Sequence, residues 1–319
     1  MKVKQHIEQQ LNEAQKALRC ATALCHTDQM AFLRCTHSGL VISPYRGMFA
    51  DASYWQSLNP TAQILHIART LSVKLPSLVF AGPTAAAIHG FEHQWAIHHG
   101  GLYAADTEHG LKNRSRGELH RVYMSNIPIA HVDGVLVTSA TRTVVDCGLM
   151  LPFRNALPIV NSALAASATT REEVQLLCDR MQRDCASVTR LLLNANPLCE
   201  NGGESMMYAT IVEAGIAEPV VQHTFVNPND TTEWYRVDFA WFLPGGRVVV
   251  AEYDGMTKYV DPAMTHRKSI EAVVTAQSHR ERSLLTWAVN AIVRITYDDV
   301  VRRYPMINKL IAEGIPLRS

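Results

Sequence analysis

Apolar positions near the start of the chain, Ile7, Leu11, Ala14, Leu18, Ala21 and Cys25, recur in alternating steps of four and three. Those steps build one stripe and predict a helix over residues 5–25. Gly39–Phe49 then reads as strand, turn, strand, so a helix leads into a small hairpin, the outline of a winged helix. Thr61–Leu71 returns to helical spacing, and Thr84–His89 forms a short helix closed by Gly90. Short β-like runs at Leu102–Ala104, Leu119–Tyr123 and Gly134–Thr138 predict a small sheet. Helical pattern follows from Ser139, over Asn155–Ala166 and over Arg171–Leu193, the last capped by Thr170.

The run from Asn194 to Gly203 is dense in Asn, Gly and Pro and reads as a linker. Beyond it the pattern is helix (Glu204–Ala214), strand (Val220–Val226), two further strands, helix (Pro262–Ala288), strand (Ala291–Thr296) and a last helix (Asp299–Glu313) capped by Asp298. The expected organisation is a helical and winged-helix region at 1–75, a small sheet with helices at 76–193, a linker at 194–203, and an α/β unit at 204–319. The fold class is α/β in that last unit and α+β for the chain as a whole.

The two strands in the middle of that unit carry the candidate chemistry. Arg236–Phe242 and Arg247–Asp254 flank Pro244-Gly245-Gly246. Side chains alternate between faces, so Asp238 shares a face with Ala240 and Phe242, and Glu252 shares one with Val248 and Val250. A three-residue loop sets Leu243 opposite Arg247 and Asp238 opposite Glu252, with Cβ atoms roughly 5 Å apart. Two carboxylates that close repel, and a divalent cation held by their oxygens removes the conflict. The bland alternative is an acid on the solvent side or one paired structurally. Val248-Val249-Val250-Ala251 is apolar without a break, which indicates burial on both faces, and a buried carboxylate needs a partner of one kind or the other.

Composition adds limits. The 319 residues are 47% hydrophobic and 18% charged with a net charge of +1, an ordinary globular balance without a global nucleic-acid signature. No apolar run reaches the length of a membrane span, and the N-terminus lacks a signal-peptide core, so a cytoplasmic protein without a membrane partner is expected. The seven cysteines include no C-x-x-C pair, which argues against a zinc ribbon and fits reduced thiols. The histidines His89, His93, His98, His99, His109, His120 and His131 read as loop and core residues. No G-x-S-x-G elbow or G-x-x-x-x-G-K-[ST] loop is present.

Over about residues 200–310 the chain resembles the Vsr-like branch of the PD-(D/E)XK, or restriction-endonuclease-like, superfamily. The matching pieces are Gly203-Glu204-Ser205, Gln222, Val237-Asp238-Phe239, Glu252-Tyr253-Asp254-Gly255, Lys258-Tyr259, Arg280-Glu281-Arg282 and Val293-Arg294-Ile295. The resemblance implies a mixed sheet flanked by helices and a metal-dependent DNA endonuclease. It implies Asp238 and Glu252 as ligands of Mg²⁺ or Mn²⁺, with Glu204 binding through water or orienting the nucleophile. Asp254 stands where the superfamily pattern has a lysine; it is a candidate third ligand, and Lys258 a candidate source of the missing positive charge. Arg267, Lys268, Arg280 and Arg282 are candidate contacts to the phosphate backbone of DNA. The first two-thirds is similar to AbiEi-type antitoxin-like proteins, through Tyr45–Phe49, Thr84–Gly90 and Thr138–Asp146. That similarity implies DNA binding and a cognate toxin or other protein partner. It also implies a rival function: a non-catalytic transcriptional regulator that keeps the nuclease fold as a scaffold.

Overall fold

The computed structural model describes residues 2–107, 119–255 and 270–318. They fall into two compact units, Met1–Leu151 with Ser167–Val188 and Pro152–Ala166 with Thr189–Ser319.

The first unit opens with α1 (Lys2–Lys16) and α2 (His26–His37), then the hairpin of β1 (Val41–Tyr45) and β2 (Met48–Asp51). The helix expected over 5–25 stops at Lys16. Leu18 takes φ 51°, a left-handed conformation that no helix continues through. Ala21 then bridges to Phe49, and Cys25 becomes the N-cap of α2, a helix the periodicity did not separate. The rings of Phe32 and Phe49 stack with centroids 4.4 Å apart, joining α2 to the hairpin.

After α3 (Ala52–Ser57), α4 (Pro60–Lys74) and α5 (Gly82–Ile88) come two strand pairs. β3 (Leu102–Asp106) and β4 (Leu119–Tyr123) run parallel, while β5 (Ile129–Val132) and β6 (Val135–Thr138) run antiparallel. Phe80 bridges to both pairs, through Ala104 and Val137, and is fully buried beside Leu102. The Ser139 side chain caps α6 (Ala140–Met150). α7 (Phe153–Ala165) belongs to the second unit. α8 (Arg171–Arg180) starts on the Thr170–Glu173 capping box, as expected, but ends at Arg180. A separate helix, α9 (Ala186–Asn194), follows where one continuous helix was expected, its first amide bonded to the Asp184 carboxylate at 2.8 Å.

The second unit runs α10 (Gly202–Glu213), β7 (Val220–Asn227), β8 (Asp230–Phe242), β9 (Val248–Asp254), α11 (Ile270–Trp287), β10 (Ala291–Thr296), α12 (Tyr297–Arg302) and α13 (Tyr304–Ala312). This is the expected α-β-β-β-α-β-α order with its last helix divided. Thr296, not Asp298, caps α12 through a box with Asp299, and Arg303 at φ 67° separates α12 from α13. The sheet is mixed, in the order β10-β9-β8-β7, with β9 parallel to β10 and antiparallel to β8. From Val248 to Tyr253 every residue of β9 is buried. Alternate residues of β9 meet different helices: Tyr253 lies against Gly203 of α10, and Val250 clusters with Leu284 of α11.

The unit boundary differs from the linear reading. Asn161 of α7 donates to Ser205 Oγ at 3.1 Å and accepts from the Asn196 amide at 2.8 Å, and Arg154 Nε donates to Thr210 Oγ1 at 2.9 Å. These bonds tie both α7 and the 194–203 segment into the second unit. The segment is loop-like in composition, yet it is held as part of a unit instead of spacing two.

Candidate functional site

Strand register builds the site. Phe239 pairs with Ala251 and Phe242 with Val248, and the Leu243 amide donates to the Arg247 carbonyl at 2.7 Å. Continuing the register one step places Asp238 opposite Glu252. The two strands part there, and Asp238 Oδ2 accepts the Tyr253 amide at 2.9 Å in place of a ladder bond.

Glu204 arrives from the first turn of α10. Asn201 is the N-cap, its Oδ1 accepting the Glu204 amide at 2.9 Å, while its Nδ2 donates back to Glu204 Oε1 at 2.5 Å. The other oxygen, Oε2, accepts the Glu200 amide at 2.8 Å and Gln222 Nε2 at 3.0 Å. The same Gln222 nitrogen lies 3.4 Å from Asp238 Oδ1, so one amide holds Glu204 and Asp238 together. Gln222 sits in β7 where the pairing skips from Val221–Phe239 to His223–Val237, with φ 55°. A left-handed glutamine inside a strand is strained by about 1–3 kcal/mol. Here it turns the amide onto the two acids.

A glycine makes the approach of α10 possible. A Cβ built on Gly203 would stand 2.1 Å from Tyr253 Cε1, so only a glycine lets the first turn of the helix rest on the ring beside Glu252. With α10 that close, Glu204 is 4% exposed. Burial, reinforced by the charge of Asp238, pushes its carboxyl up to about 7, against the opposing bonds from the Glu200 amide and Gln222.

Glu252, 3% exposed, is met by two guanidinium groups. Arg280 of α11 donates to both of its oxygens, Nη1 to Oε2 at 2.9 Å and Nη2 to Oε1 at 2.5 Å. Arg294 stands beside Glu252 in the parallel register of β10. Its Nη1 reaches Glu252 Oε2 at 3.2 Å and Asp254 Oδ1 at 3.3 Å, and its Nη2 reaches Glu281 Oε1 at 2.5 Å. Burial raises the Glu252 carboxyl above its ordinary range even though Arg280 and Arg294 pull the other way. Burial also opposes the charge on Arg294, but the bond to Glu281 and the neighbouring carboxylates more than offset it and keep the guanidinium protonated.

The structure thus joins Glu204 to Asp238 through Gln222, and Glu252 to Asp254 through Arg294, with Arg280 also on Glu252. Arg282 is exposed on α11. Lys258, Arg267 and Lys268 lie outside the described residues, as does His109. Sequence reasoning counted Arg294 and Gln222 in the resemblance but gave no site role to either, nor to Asn201. Arg294 had a legible signal, since a lone arginine in the apolar run Ala291–Ile295 requires an acidic partner. The histidines beyond this unit make local bonds: His89 to the Thr138 carbonyl at 2.8 Å, and His93 to His98 through their Nε2 atoms at 2.8 Å.

Among the described residues, no group of three or more His, Cys, Asp or Glu side chains stands ready to hold a metal ion. The carboxylate oxygens present are hard donors of the kind Mg²⁺ and Mn²⁺ take, and Glu204, Asp238, Glu252, Asp254 and Glu281 outnumber Arg280 and Arg294. What closes the arrangement is the guanidinium of Arg280 across both oxygens of Glu252. No helix among the described residues is long and apolar enough to cross a membrane. No known family model matches this chain, and no curated protein matches it significantly.

Proposed function

We propose that the second unit is a metal-dependent DNA endonuclease of the restriction-endonuclease-like kind. The observation that carries this reading is the joining of Glu204 to Asp238 through Gln222, beside Glu252 on the neighbouring strand of a mixed sheet. Asp238 and Glu252 would hold Mg²⁺ or Mn²⁺, with Glu204 close by. Such an ion, when bound, polarises a phosphate oxygen and lowers the pKa of a bound water. The chain's own groups supply the rest. The Tyr253 amide fixes one oxygen of Asp238 and leaves the other turned towards Gln222 and Glu204. Glu204, with its carboxyl near 7, is poised to take a proton from an attacking water at neutral pH. Exposed Arg282 would meet backbone phosphate, and the helix and hairpin of the first unit would contact DNA or a partner such as a cognate toxin. A cytoplasmic location belongs to the same reading.

The full chain should nick supercoiled plasmid in Mg²⁺ or Mn²⁺, and Asp238→Ala and Glu252→Ala should each abolish nicking. Nicking that survives both substitutions, or none by wild type, would sink the endonuclease reading. The rival, a DNA-binding regulator without catalysis, draws on one observation: Asp254 occupies the lysine position and is paired to Arg294. It predicts DNA binding without cleavage by wild type.

A further inference from the structure

Arg280 holds more of the site than its place on α11 announces. It donates to both oxygens of Glu252 and, through Nη2, to the Arg236 carbonyl at 2.5 Å. Arg294 is distributed over Glu252, Asp254 and Glu281, on two different elements, and is thereby fixed in place. Arg280 has one hydrogen-bonded carboxylate among the described residues, Glu252, so when that pair breaks the bond left to it here is the one to the Arg236 carbonyl. A guanidinium fork fits a phosphate as well as a carboxylate. Glu252 oxygens that accept from Arg280 are not open to a cation, and a guanidinium and a cation on one carboxylate repel each other.

We infer that Arg280 is an exchangeable phosphate-binding residue. It closes Glu252 while the acids hold no cation and turns to the DNA backbone when they do. It thereby supplies, from a helix, the positive charge that position 254 does not. This rests on the nuclease reading and gives the site an order: Arg280 leaves Glu252 before it can meet phosphate, so cation loading and DNA engagement are linked.

The exchange predicts opposite signs for one substitution. In Arg280→Gln, Mn²⁺ affinity should rise about tenfold, because Glu252 is no longer closed, while affinity for duplex DNA in Ca²⁺ should fall about tenfold; each is the size of one charge-pair interaction. Arg280→Lys keeps the charge without the fork and should fall between wild type and Arg280→Gln in both assays. Mn²⁺ binding is read from the electron paramagnetic resonance of the free ion without DNA, duplex binding from fluorescence anisotropy, and folding from circular dichroism, all with the full chain. Unchanged or weaker Mn²⁺ binding in folded Arg280→Gln overturns the exchange, as does unchanged DNA affinity. If wild type binds Mn²⁺ and Asp238→Ala does not, the nuclease reading stands even when Arg280→Gln gives the wrong sign. If wild type binds no Mn²⁺, both fail together.

Discussion

Glu204 shows how one residue can be read in two ways that are both true. It is an acid in the first turn of a helix, bonded reciprocally to its N-cap Asn201, and it is also a buried carboxyl facing Asp238. The second role leaves a thermodynamic trace. Between the ordinary carboxyl value of 4.5 and about 7, the folded chain keeps a proton that the unfolded chain has released. Stability is therefore lost as pH rises through that window, and the deficit persists above it. Glu204→Gln has no such proton to lose. Its melting temperature relative to wild type, measured by calorimetry in EDTA, should climb between pH 4.5 and pH 8; a constant offset would show that the carboxyl titrates normally. The register of β8 on β9, as far as Phe239 opposite Ala251, was legible because a tight turn and an alternating pattern together fix it. The distortion at Gln222 was not, since a left-handed glutamine has no sequence signature and exists only because the acids around it hold it.

Elements explain what the periodicity could not see. The α-β-β-β-α-β-α order follows from apolar spacing, turns and caps, and the acidic strand β9 is buried as its unbroken valines require. Beside the division of α8 from α9, two helix boundaries were misplaced because backbone conformation at Leu18 and Arg303 interrupts otherwise helical composition. Arg294 was given no role because its partner Glu252 lies on a parallel strand reached by a crossover, and such a pairing has no tight turn to set its register. The contact of α10 with β9 is similarly invisible in a one-dimensional pattern. Gly203→Ala should cost about 1–3 kcal/mol through overpacking against Tyr253. A denaturant melt of that variant should recover much of the loss when Tyr253→Leu is added; strictly additive losses would mean the ring is not what excludes the side chain.

For the molecule as a whole, the linear order and the compact units disagree at α7. Asn161→Ala removes a buried bond to Ser205 and a part-buried one from the Asn196 amide, and should lower stability by about 1–3 kcal/mol in urea unfolding. A negligible change would show that α7 is not held by those bonds. A helix can be assigned from its own sequence, but which unit it completes depends on the surface it meets, and Asn161 meets Ser205 across more than forty positions of chain. The same dependence gives Gly203 a meaning beyond its own cost. Positions 203 and 253 share one volume, so they constitute a coupled pair: among related chains, a side chain at 203 is expected only where the ring at 253 has been exchanged for something smaller. Joint variation of the two positions would then track how closely α10, and with it Glu204, is drawn against the strand of Glu252.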